Sequence, residues 1–147
     1  MTRYEHTQIG YLIIWALLIG AALLATGAAF ESSPHHGTAL IVSIAFLVIL
    51  ALFYKLTITI NAERLCACFG IGIIRKSVPL AEIAECEPIR IRWWFGWGIH
   101  LTPYGWLYNV SGLDAVAITL RDGRKFALGT DDPQGLVAAI PHSSSVE

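Results

Sequence analysis

"KLTITINAERLCACFGIGIIRKSVPL", Lys55 to Leu80, is where the chain changes from an uncharged to an alternating character. Leu56, Ile58 and Ile60 fall on one side of an extended backbone, and Thr57 and Thr59 on the other. That is the period-2 signature of a half-buried strand. Asn61 to Glu63 turn the chain, and Leu65 to Phe69 give a second strand. Gly70 and Gly72 then permit a tight reversal, and Ile73 to Val78 give a third strand that Pro79 ends.

Downstream the pattern continues. "PLAEIAECEP", Pro79 to Pro88, reads as a short helical turn or an irregular crossing, with Leu80 and Ile83 inward and Glu82, Glu85 and Glu87 in solvent. "AVAITLRDGRKFALGT", Ala115 to Thr130, holds two alternating runs around Asp122-Gly123, the pair that favours a type I′ hairpin. Its inward residues are expected to be Val116, Ile118 and Leu120, facing Phe126 and Leu128. In "GTDDPQGLVAAI", Gly129 to Ile140, Thr130 or Asp131 can cap a helix whose first turn holds Asp132 or Pro133. Leu136, Val137 and Ile140 form its apolar stripe, Pro141 stops it, and residues 141–147 are expected to be a flexible tail. The order is therefore five to seven short strands closed by a helix.

Upstream lies the excess of apolar residues that makes the chain 55% hydrophobic and only 14% charged. Thr7 to Ala29 and Gly37 to Tyr54 contain no charged residue. A helix over Ile9–Phe30 would be roughly 33 Å long, enough for a hydrocarbon core of about 30 Å. The second run, Thr38 to Tyr54, is at the lower limit of length for a span. The first run is too long for the apolar segment of a signal peptide, roughly 7–15 residues, and a second follows at once. Two membrane spans, 9–30 and 38–54, are expected, joined by the turn-forming link "ESSPHHG", Glu31 to Gly37. Arg3 precedes the pair and Lys55, Arg64, Arg75 and Lys76 follow it, whereas the link has no Lys or Arg. By the distribution of basic residues both termini are expected to be cytoplasmic, in a multi-pass inner-membrane protein. Gly20, Ala21, Ala25, Ala28 and Ala29 suit close helix approach, within the hairpin or in a homo-oligomer, or are simply compatible with lipid. The absence of ionisable residues from both runs argues against transport by the hairpin.

Three stretches carry a resemblance: "FGIGIIRKSVPLAEI", "GWGIHLTPYGWLYNVSGLDAV" and "LRDGRKFALGTDDPQGL". Lys55 to Ile140 resembles the bacterial pleckstrin-homology-like domains, and more narrowly a family of short bacterial membrane proteins with an N-terminal hairpin before such a domain. The resemblance implies an α+β membrane protein: residues 1–54 a helical hairpin, 55–140 a bent β-barrel of about seven strands with a C-terminal capping helix. It implies no reaction. Eukaryotic relatives bind inositol phosphates through several Lys and Arg near the first strand loop, where this chain has "NAER" with Arg64 alone.

From Lys55 to Glu147 there are nine basic residues (55, 64, 75, 76, 90, 92, 121, 124, 125) and nine acidic ones (63, 82, 85, 87, 114, 122, 131, 132, 147). That balance argues against nucleic acid, which calls for a basic excess on one face. Partners are instead sought in "RIRWWFGWGIHLTPYGWLYNVSG", Arg90 to Gly112, which holds four of the five tryptophans. Read as a strand, Ile89, Ile91, Trp93 and Phe95 face the core, and Arg90, Arg92 and Trp94 face outward. Exposed indole beside guanidinium suits a lipid interface; a strand that is merely solvated has the same composition. Trp97 and Trp106, beside glycines, are expected to cover the barrel mouth. Tyr104, Trp106 and Tyr108 share one alternating face that would line a groove for an apolar or peptide ligand, or belong to a packed core.

Candidates for chemistry are sparse. Cys66 and Cys68 share a strand face and Cys86 is a third thiol, but no histidine accompanies them at zinc-site spacing. His35 and His36 lie in the link, His100 lacks a nucleophile or carboxylate partner, and Ser111 in "NVSG" lacks the frame of a nucleophile elbow. No cofactor or metal is implied. The expectation is a non-enzymatic, membrane-tethered module that binds lipid or a protein partner through Arg90, Arg92, Trp94, Trp97, Tyr104, Trp106 and Tyr108. The alternatives are an accessory subunit of a larger membrane complex and a small thiol- or metal-dependent membrane enzyme.

Overall fold

The computed structural model describes residues 2–30 and 36–141. Its elements in chain order are β1 (Tyr4–Ile9), α1 (Tyr11–Phe30), α2 (His36–Phe53), β2 (Lys55–Ile60), β3 (Arg64–Phe69), β4 (Arg75–Pro79), β5 (Ile83–Arg90), β6 (Gly98–Thr102), β7 (Gly105–Asn109), β8 (Asp114–Leu120), β9 (Lys125–Gly129) and α3 (Pro133–Ala139). The strands form two sheets. One is antiparallel, in the order β1-β2-β3-β4, and the other has the order β5-β8-β9-β7-β6, with β7 and β9 parallel.

The alternation read in the sequence sets the faces. Leu56, Ile58 and Ile60 of β2, and Leu65, Ala67 and Phe69 of β3, are buried in one core with Val116, Ile118 and Leu120 of β8 and Phe126 and Leu128 of β9. Burying these side chains between two sheets supplies the main driving force, about 1.5–3 kcal/mol for each large one. Two corners separate the sheets. At one, α3 inserts Leu136 and Ile140 into the core, touching β5 and β8, while Tyr4 and His6 of β1 contact Asp132 and Asp131 just before it. Asp132 is the cap: its carboxylate accepts the Gly135 N–H at 3.0 Å, with Pro133 following.

The closed barrel of about seven strands is overturned. Among the described residues there are nine strands in two sheets, and β4 and β6 end their sheets without pairing to each other. The additional strand is β1, which precedes the helices and pairs with β2 from Tyr4↔Ile60 to Ile9↔Lys55. A boundary at residue 55 therefore separates two hydrogen-bonded strands. The segment read as a short helical turn or an irregular crossing is a 3-10 turn, Leu80–Glu82, followed by β5. The Asp122-Gly123 turn is not type I′, which needs positive φ at two successive residues; only Gly123 has it. Gly123 N–H donates to Leu120 O and Leu120 N–H to Arg124 O, a three-residue loop in which glycine takes the left-handed position.

The helices pack side by side, and a Cβ on Gly20 would lie 2.8 Å from the Phe46 ring. They begin and end in the sandwich: Gly10 N–H donates to Tyr54 O, and Ile13 and Phe53 reach the main core. Ile9 belongs to β1 and Gly10 is a joint, so α1 starts two residues later than the expected span. Residues 31–35, most of the expected link, and the tail from residue 142 lie outside the described residues. Among the described residues, no helix is long and apolar enough to cross a membrane. This overturns the two-span, multi-pass inner-membrane reading and the cytoplasmic placement of the termini built on it. The helices carry no charge, and Tyr11, Trp15, Ile19, Leu23, Leu40 and Ile44 are exposed on them.

Candidate binding surface

The chain must travel from β5 to β6, and these strands are opposite edges of their sheet. Four strand spacings of about 4.8 Å separate them, roughly 19 Å. Residues 91–97 make that crossing over the sheet's outer face. Ile91 is buried and Phe95 half-buried there, against Leu107, Ala115 and Ala127. The alanines of β8 and β9 alternate with the large core residues, so the outer face is low enough for a backbone to lie on it.

The crossing is not a strand. β5 stops at Arg90, and Trp93–Phe95 form a 3-10 turn with a Gly96 N–H to Trp93 O bond. The turn places Ile91 and Phe95 toward the sheet and turns Trp93 away, so Trp93, expected in the core, is 75% exposed. Trp94 is outward as expected, 55% exposed, edge-on to Trp93 with ring centroids 5.9 Å apart.

The seven expected site residues fall in three places. Arg90, Arg92, Trp94 and Tyr104 come together with Phe95 and Pro103 around a pocket of about 360 Å³. Within it the Arg92 guanidinium lies 4.9 Å from the Trp94 ring centre, a cation–π contact that holds both groups at the rim. Among the described residues, neither Arg90 nor Arg92 forms an ion pair. Trp97 stands apart, lining an apolar cleft of about 350 Å³ with Leu12, Ile13, Leu17, Ile49 and Phe53 where the helices leave the sandwich.

Trp106 and Tyr108 share a face of β7, as the alternation predicts, but Tyr104 lies in the preceding turn and does not join them. They line a groove of about 540 Å³ at the second corner of the sandwich, between β4 and β6. Tyr108 is half-buried against Phe69 and Phe126, and that burial raises its phenol pKa. Sequence reasoning did not bring Lys76, Leu101, Arg124 and Lys125 to this groove, nor join them to Phe126, which it placed inward. A signal was present: Lys76 alternates in step with Val78, which places an ammonium on the inward face of β4. Its Nζ lies 5.6 Å from the centre of the Phe126 ring. Arg124 Nε donates to Asp122 at 2.6 Å; the Arg124 backbone N–H, then this side chain, hold the Asp122 carboxyl below its ordinary range.

The thiols do not converge. Cys66 and Cys68 sit on the outer face of β3, Cys66 donating to Ser77 Oγ at 3.3 Å. Cys86 is in the other sheet, its pKa raised by burial first and by Glu85 second. His100 is exposed, its Nε2 at the Trp97 carbonyl. Among the described residues no group of three or more His, Cys, Asp or Glu could hold a metal ion.

No family model matches the chain. No curated protein and no solved structure matches it either.

Proposed function

We propose that this chain is a non-enzymatic binding module whose ligand is an anionic amphiphile, a lipid, held at the Arg90–Arg92–Trp94 pocket. The observation that carries this reading is the stacking of Arg92 on an exposed indole, beside Arg90, with no carboxylate paired to either guanidinium among the described residues. Guanidinium recognises phosphate, and Trp93 and Trp94 offer apolar area at the same level. The exposed indoles of Trp93 and Trp94 favour a ligand with an apolar part. Kinship with the pleckstrin-homology-like family is proposed on the quoted stretches alone.

The test uses short-chain lipids with the full chain in a mild non-ionic detergent. Dihexanoyl phosphatidylglycerol should bind more tightly than dihexanoyl phosphatidylcholine by calorimetry. Each arginine near an anionic group is worth on the order of 1 kcal/mol, about fivefold. Replacing Arg90 and Arg92 by Gln and Trp94 by Ser should abolish the preference. Equal affinity for the two lipids, or an unchanged preference in the triple variant, would count against the reading.

A further inference from the structure

The two corners of the sandwich are treated differently. α3 fills the one between β1 and β5 with Leu136 and Ile140, and among the described residues no element fills the one between β4 and β6. We propose that this second corner is a separate site for an extended acidic peptide laid along β6, whose groove-facing side chains, every second one, are apolar over the aromatic floor and acidic beyond it.

Three observations converge on that occupant. β4 and β6 are each the last strand of a sheet, so each presents one side of its backbone without a ladder partner. Such an edge adds a strand readily. The floor between them is aromatic: Trp106 is 52% exposed and Leu101, its direct cross-strand neighbour in β6, 68% exposed, with Tyr108 and Phe126 deeper. A strand added there would place every second side chain on these groups. Finally, Lys76, Arg124 and Lys125 border the groove, and among the described residues the carboxylate joined to them, Asp122, is already held by Arg124. The cationic border complements carboxylates on groove-facing positions at one end of such a strand, since the alternate positions point to the other face of the sheet. A lone lipid headgroup would satisfy the charges and leave the β6 edge unpaired.

The experiment uses two synthetic probes with the full chain in a mild non-ionic detergent: acetyl-Val-Thr-Val-Thr-Glu-Thr-Glu-amide, whose Val and Glu share one face of the strand, and the same peptide with Lys for Glu. The acidic probe should bind saturably and at least tenfold more tightly. Bound, it should slow amide exchange at Ile99–Thr102, a readout that needs no variant. Lys76→Glu with Arg124→Glu should reverse the preference between probes. Trp106→Ser should weaken the acidic probe about tenfold and, because the ring is half exposed, leave the melting temperature nearly unchanged. Equal binding of the two probes, a preference that survives the charge reversal, or protection at Trp93–Trp97 in place of β6 would overturn the proposal. So would self-association that Trp106→Ser abolishes, which would make a second copy the occupant.

Discussion

The ring of Phe53, the last residue of α2, stands edge-on to that of Phe69, the last residue of β3, with centroids 5.5 Å apart and planes at 66°. Phe69 is wholly buried and Phe53 half-buried, so this pair locks the helices to the sandwich. Phe53→Ala removes the edge contact and opens a void beside Phe69. The expected cost is about 2–3 kcal/mol, below the usual range for a fully buried ring. Denaturant unfolding of the purified variant measures it.

Gly105 holds the parallel pairing of β7 with β9. Its φ is +86°, and a Cβ there would meet the Lys125 carbonyl oxygen at 2.0 Å. Gly105→Ala therefore adds both backbone strain and a collision with an atom that cannot swing away. A loss of at least about 1–3 kcal/mol is expected, with rapid amide exchange in β7 as its signature.

The crossing segment separates two residues that a strand would have treated alike. Ile91→Ala should destabilise the protein by about 2–4 kcal/mol, because it empties a site packed on Ala115 and Ala127. Trp93→Ser should shift the melting temperature by little, since that ring is mostly in solvent. Thermal melts of the two variants side by side decide the matter; a large loss in Trp93→Ser would restore the strand assignment.

Tyr4 makes stability fall in alkali. Burial first, then the Asp132 carboxylate and the hydrogen bond to it at 3.1 Å, hold the phenol well above its ordinary value of 10.0. The native state thus favours the protonated form. Its contribution is complete below about pH 10 and declines as pH rises toward the native value, because the unfolded chain loses this proton first. Tyr4→Phe should reduce stability by about 1 kcal/mol at neutral pH and flatten the fall above pH 10. Tyr108, raised by burial, leaves a residual slope. Melts from pH 7 to 11.5 give both quantities.

What the sequence revealed and what it hid have physical reasons. β2, β3, β8 and β9 were legible because their inward positions are aliphatic or Phe. β1 was not, because its inward residues are Tyr4, His6 and Gln8, which the fold pairs with Asp132, Asp131 and, through the Gln8 amide N–H alone, the Ser111 carbonyl. No local pattern announces a strand whose buried face is polar. Alternation in "RIRWWF" misled because Ile91 and Phe95 reach the same surface through a turn, and only the separation of β5 from β6 requires a crossing there. The shared face of Trp106 and Tyr108 was visible. Their meeting with Lys76 and Leu101 depends on an unclosed corner, a property of the whole topology.

The pairing of Ile9 with Lys55 makes the two helices occupy the place of a β-hairpin turn. Closing about 45 residues instead of a three-residue loop adds close to four doublings of length, roughly 2.4 kcal/mol of closure entropy. The packed helices return that loss by delivering their two ends to adjacent ladder positions. The helix pair is thus an insertion, exchangeable without breaking the hydrogen-bonded ladder of either sheet, at the cost of the Ile13 and Phe53 contacts with the core. Splicing a short Asn-Gly turn in place of residues 11–53 should leave β1 zipped to β2 and give a protein with the amide-exchange pattern of the parent sandwich. Loss of β1 protection in the spliced chain would mean that the helices steer that strand home.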